Sequence, residues 1–189
     1  MKELYLLIRS HLYRIVGLNK NWLGILINLY KPEFCYLFWL RFSRHYYLQG
    51  SKIRFLLCNL ILKRYTIKYG YEIPYQVSID FGLRLMHLGG VIVNPLVTIG
   101  RNVTLLRGVT IGSNRRGKRK GAPIIGNDVF IGANAAIIGK VMIGNDLMVA
   151  PNTYINFDVP SHSICFGNPA QVIHKKYATE FYIDNPYKL

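Results

Sequence analysis

The sequence predicts a mainly β molecule, a solenoid of short stacked strands preceded by a helical segment, and three observations lead there. An aliphatic residue returns every sixth position through Ile73, Ile79 and Leu85, then Val93, Ile99, Leu105 and Ile111, then Ile125, Ile131, Ile137, Ile143, Val149 and Ile155, with two breaks in step. Before Gly70 the apolar residues fall at helical spacing, and after it short Val and Ile pairs alternate with Gly, Asn and Asp. A short fixed period means that no unit can bury its apolar side alone, so each must stack on its neighbours. The chain therefore divides into a helical, basic segment (1–70), a solenoid (71–175) and a short tail (176–189).

In the helical segment, Leu4, Leu7, Ile8, Leu12, Ile15 and Val16 line one helix face, ending near Gly17. A second helical piece spans Trp22 to Tyr30. Pro32 suits the first turn of a longer helix running through Phe34, Tyr36, Leu37, Leu40 and Phe42 and stopping near Gly50. Ser51 is placed to cap a last helix that carries Phe55 to Leu62 and ends at Tyr65.

Charge is concentrated at this end. Up to Lys68 there are twelve Lys and Arg against Glu3 and Glu33, net +10; the remainder has twelve against seven, net +5, which sums to the chain's +15. Such a segment suits an anionic membrane face or an anionic lipid-linked or nucleotide-linked substrate; it equally suits helices whose cations face water. No apolar run approaches the ~20 residues of a spanning helix, and Met1-Lys2-Glu3-Leu4 leads into no signal-peptide cleavage pattern. The expected location is cytoplasmic, with peripheral contact at the inner face of an anionic membrane. Cys35, Cys58 and Cys165 are unpaired in spacing and read as buried thiols.

Within the solenoid the unit is Val-x-Ile-Gly, as at Val97-Thr98-Ile99-Gly100 and Val141-Met142-Ile143-Gly144, with the aliphatic rung inward and Gly or Asn at the corner. These hexads resemble the hexapeptide-repeat acyltransferases over Glu72 to Lys175, and Gly167-Asn168-Pro169-Ala170 resembles their exit turn. The resemblance implies a left-handed parallel β-helix of three hexads per coil, a homotrimer or dimer of trimers, and acetyl-CoA as co-substrate. The helical segment followed by a helix with a His in its third coil looks most like the serine acetyltransferase branch.

That resemblance also assigns roles. Leu85-Met86-His87-Leu88-Gly89-Gly90 lies over the family segment that carries the general base, which makes His87 the match; Glu72, fifteen residues earlier, matches the carboxylate that orients it. Acyl transfer from a thioester to a hydroxyl needs such a base and no enzyme nucleophile, because the thiolate leaves readily. The pantetheine arm maps to Gly112, Ser113, Ala133, Ala150 and Pro151, with Lys175 near the nucleotide phosphates. Arg115, Arg116 and Lys118, in the basic run that fills the second break, read either as contacts for phosphates or an anionic acceptor, or as a solvated loop. His11, His45, His162 and His174 show no ligand spacing, so no metal is expected.

Where serine acetyltransferases carry Asp before the base this chain has Met86, and where they carry an Arg-His pair it has Gly121-Ala122. Burying serine's ammonium and carboxylate without partners is costly, so the expected acceptor is a saccharide hydroxyl, as in the surface-polysaccharide acetyltransferases that share these features. The alternatives are a serine O-acetyltransferase and a non-catalytic trimeric scaffold; nucleic-acid binding has only net charge in its favour and is not expected.

Overall fold

The computed structural model describes residues 1–188. Helix α1 (Lys2–Val16) closes on Gly17 at φ 71°, a left-handed conformation in which glycine carries no Cβ penalty. Helix α2 (Trp22–Ile27) is capped by Asn21, whose side chain accepts from the Gly24 N–H, and continues as a 3₁₀ turn over Asn28–Tyr30. Helix α3 (Pro32–Leu48) starts on its proline. Helix α4 (Lys52–Tyr69) runs past the expected end at Tyr65, and Ser51 makes no capping bond with its side chain. Nothing breaks the helix before Gly70, and the extra turn is fastened by Tyr65 and Tyr69, whose rings stack at 5.3 Å one turn apart.

The solenoid then winds as a parallel β-helix. The first coil is β1 (Tyr71–Glu72), β2 (Ser78–Ile79) and β3 (Arg84–Met86), and the second is β4 (Val91–Val93), β5 (Thr98–Ile99) and β6 (Thr104–Leu106). The third is β7 (Thr110–Gly112), β8 (Ile124–Ile125) and β9 (Val129–Ile131), and the fourth is β10 (Ala136–Ile138), β11 (Met142–Ile143) and β12 (Leu147–Val149). A last turn adds β13 (Tyr154–Ile155) and β14 (Ser163–Phe166), with β15 (Gln171–His174) folding back antiparallel on β14. Strands stack into three sheets: β1-β4-β7-β10-β13, β2-β5-β8-β11 and β3-β6-β9-β12-β14-β15. Register puts the sequence ladder in columns, Val93 on Ile111, Ile137 and Ile155, and Leu85 on Leu105, Ile131, Val149 and Cys165. These columns are the buried core, which is why the six-residue period survives into the structure.

The helices seat on the first coil through arginine. Arg41 donates to the carbonyls of Ile79 and Asp80, both at 2.7 Å, and through Nε to His11 Nε2 at 2.8 Å. His11 Nδ1 faces the Leu83 carbonyl at 2.9 Å, which fixes the ring as a neutral tautomer donating from Nδ1. Arg14 reaches Gly82 O, Thr104 Oγ1 and Asp184 O, and Arg44 reaches the carbonyls of Tyr75 and Gln76. Burial lowers Arg41 to about 9 and Arg14 to about 10, so both stay cationic at neutral pH. The basic segment therefore spends two of its cations wholly inside the molecule, saturating strand-end carbonyls.

The tail runs back across the stack. Asp146 accepts from the N–H groups of Ala178 and Thr179 and from Thr179 Oγ1. Further on, Asp184 pairs with Arg84, and buried Tyr187 exchanges backbone bonds with the Asn102 side chain and stacks on Phe81.

Candidate active site

The first break in the ladder is a turn at the corner between β3 and β4, so His87 closes the first coil and not the expected third, because the chain enters the stack only at Tyr71. His87 itself sits in the left-handed region at φ 64°, followed by Gly89 at 103° and Gly90 at 71°. A non-glycine residue held there needs support, and buried Tyr71 supplies it: its hydroxyl donates to the His87 carbonyl at 3.1 Å. Gly89 donates to Tyr69 O and accepts from Gly108 N–H, tying the turn to the end of α4 on one side and to the next coil on the other. A Cβ on Gly70 would stand 3.1 Å from Gly89 Cα and Gly90 N, so the close stacking of this corner demands glycine. The outcome is a rigid backbone with an exposed imidazole.

Register shows what lies along the same edge. Met86 pairs with Leu106, Leu105 with Ile131 and Ile131 with Val149, so Arg107, Ala133 and Pro151 follow His87 down one corner, with Ala150 beside Pro151. Adjacent rungs are ~4.8 Å apart. Ala133, Ala150 and Pro151 thus share the His87 edge and leave it open to an extended ligand. Arg107, exposed one rung below His87, was not singled out from sequence. Counting the coil register past the 87–90 turn is the signal that finds it.

The remaining residues do not converge on that edge within one chain. Glu72 points outward from the first sheet and lines a cavity of about 270 Å³ against α4, with Asn59, Lys63 and Thr66. No hydrogen bond joins it to His87 among the described residues. Gly112 and Ser113 lie at the next corner, between β7 and β8, where Ser113 Oγ accepts from Asn94 Nδ2 at 2.9 Å. The basic run leaves from the same corner as a hairpin, closed by paired backbone bonds between Asn114 and Gly121. Arg119 anchors it, holding both oxygens of Asp158 at 2.9 Å, and Arg115, Arg116 and Lys118 project into solvent. That ion pair holds the Asp158 carboxyl below its usual range. Lys175 follows β15, exposed, its N–H on His162 O.

A His–carboxylate pair lies elsewhere, His162 Nδ1 with Asp146 at 2.8 Å. Burial would raise the Asp146 carboxyl, but bonds from Thr179, His162 and Ala178 hold it below its ordinary value. Its oxygens are saturated by the tail, which makes it an anchor. Cys35, Cys58 and Cys165 are all buried free thiols, Cys165 raised by burial to about 11. Among the described residues no three His, Cys, Asp or Glu side chains gather as a metal cage.

Comparison with known proteins agrees with this architecture. Residues 122–156 match the family model of the bacterial transferase hexapeptide (six repeats). Serine acetyltransferase 2 of Arabidopsis thaliana is 36% identical over 120 residues, covering 64% of this chain and 37% of that protein. The serine acetyltransferase of Helicobacter pylori is 35% identical over 106 residues, 56% of this chain and 62% of its own length. The chain thus spans between about a third and three fifths of the curated relatives it matches. The structure of Neisseria gonorrhoeae serine acetyltransferase in complex with serine superposes with a TM-score of 0.75 at 27% identity, covering 91% of this chain and 69% of that one. Soybean serine acetyltransferase apoenzyme gives 0.75 at 26% identity, covering 92% and 70%.

These relatives overturn the expected saccharide acceptor, since they are serine acetyltransferases. The charges absent at Met86, Gly121 and Ala122 are not the only ones that bear on the acceptor, because the register sets the cation of Arg107 directly beneath His87.

Proposed function

We propose, with the hexapeptide-repeat transferase family as premise, that this chain is an acetyl-CoA-dependent serine O-acetyltransferase working by direct transfer. In this reading His87 takes the proton of the serine hydroxyl as its oxygen attacks the thioester carbonyl. The C–S bond then breaks, and the departing thiolate recovers the proton from the imidazolium. Glu72, fifteen residues earlier, is the carboxylate that this reading assigns to that imidazolium. Gly112, Ser113, Ala133, Ala150 and Pro151 bed the pantetheine arm, and Arg115, Arg116, Lys118 and Lys175 meet its phosphates. Arg107 takes the serine carboxylate in place of the missing pair.

The observation that carries this reading is the exposed His87 on a corner locked by Tyr71, at the head of an edge of small residues. Because Gly112, Ser113 and the basic hairpin leave from a different corner, the reading includes a homotrimer, or a dimer of trimers, in which one copy's hairpin edge meets the next copy's His87 edge. The expected contact with an anionic membrane does not depend on this chemistry; what supports it is the surface of α4.

The test follows thiol release from acetyl-CoA with and without serine. Serine-dependent release by the native chain, falling by ~10²-fold or more in His87→Ala, is the expected result. Equal release by the variant removes His87 from its role, and no serine-dependent release removes the activity.

A further inference from the structure

We propose that the outer face of α4 is a docking surface for an anionic lipid bilayer. The helix packs on α3 and the first coil through Phe55, Cys58, Leu62 and Tyr69, which leaves the opposite side bare. On that side Ile53, Leu56, Leu57, Leu60 and Ile67 are each between 55% and 87% exposed. At ~100° per residue they fall within an arc of roughly 100°, a continuous apolar stripe along the axis. Lys52, Arg54, Lys63, Arg64 and Lys68 flank or interrupt it, all exposed, and the helix's 18 residues include no Asp or Glu.

Charge identifies the occupant. A second copy laid face to face would oppose five cations with five cations, and nothing on the helix would relieve them. An anionic headgroup layer answers the Lys and Arg at the flanks and receives the apolar stripe just beneath. Their long aliphatic stems let the charged ends stay at headgroup level while the leucines insert. No helix among the described residues is long and apolar enough to cross a membrane, so the helix lies in the surface plane. This inference stands independently of the acyl-transfer reading, because neither its residues nor its readout involve His87.

Flotation of the full chain with vesicles tests it. Vesicles of phosphatidylcholine mixed with phosphatidylglycerol should carry the protein, and phosphatidylcholine alone should not. Raising salt from about 0.1 M to about 1 M, which shortens screening from ~10 to ~3 Å, should release it. Arg64→Glu with Lys68→Glu, and separately Leu56→Gln with Leu60→Gln, should each lower the bound fraction at least about tenfold. Both double variants should keep the native sedimentation coefficient and melting temperature. Equal binding to the neutral vesicles, or native binding by either variant, overturns the proposal. So does a smaller sedimentation coefficient in either variant without lipid, because the stripe would then be buried between copies.

Discussion

At the scale of single residues, the site depends on a few atoms that hold His87 and on one cation below it. Tyr71 fixes the His87 backbone through the carbonyl, leaving both ring nitrogens free. Among the described residues Arg107 forms no ion pair, and in the proposed reading its place one rung from His87 suits it to an acid-bearing acceptor. Arg107→Ala should raise KM for serine by about tenfold or more, the cost of a charge-assisted bond, with kcat reduced far less; an unchanged KM would assign the carboxylate elsewhere. The sequence marked the place of His87, because its neighbours resemble a family segment around a break in the ladder, and the structure puts it on an exposed corner. Arg107 was not marked, because its position depends on how many residues the turn consumes. The Tyr71 bond was equally hidden, since it exists only once the first coil has closed from β1 round to the turn after β3. Glu72 was chosen by its spacing from His87, and spacing does not report that the residue sits exposed beside a cavity against α4 with no bond to His87 among the described residues.

At the scale of elements, the helices seat on the first coil through a buried polar seam, and that seam titrates. Burial first, and then the neighbouring Arg41 charge, hold His11 well below the ordinary histidine value, with the Leu83 carbonyl opposing and Arg14 adding to the effect. A base depressed on folding is protonated more readily in the unfolded chain. Its contribution is therefore full above pH ~6.5 and is lost as pH falls below it, at up to ~1.4 kcal/mol per unit. Burial lowers His45 in the same direction. Urea unfolding should show a midpoint dropping between pH 7 and 5, and His11→Gln should flatten that slope; an equally steep variant would move the acid sensitivity away from the seam. The first three helices were readable from spacing, Gly17 and Pro32, and the strands from the rungs, whereas α4 runs on to Tyr69, past the end expected at Tyr65. The inward use of Arg14 and Arg41 was not readable, because a cation on an amphipathic helix is indistinguishable in sequence from one facing water until the carbonyls opposite it are known.

At the scale of the whole molecule, the candidate site is divided between two edges of one prism. His87 and the Ala133–Pro151 column stand on one corner, and Ser113 with the basic hairpin on another. Mixing His87→Ala with Ser113→Trp, each inactive alone, should restore about a quarter of native activity, the share of mixed interfaces in which both halves are intact. No recovery after co-refolding would mean that each chain holds a complete site. The tail bears on a different property. In a stack whose coils touch only their immediate neighbours, each interface is its own weak link, and such arrays fray from an end one unit at a time. Residues 178–187 bridge that series, fastened to Asp146 in the fourth coil and to Arg84, Asn102 and Arg14 at the other end. Loosening any intermediate coil must also strain these distant bonds, so the prism melts as a single cooperative unit.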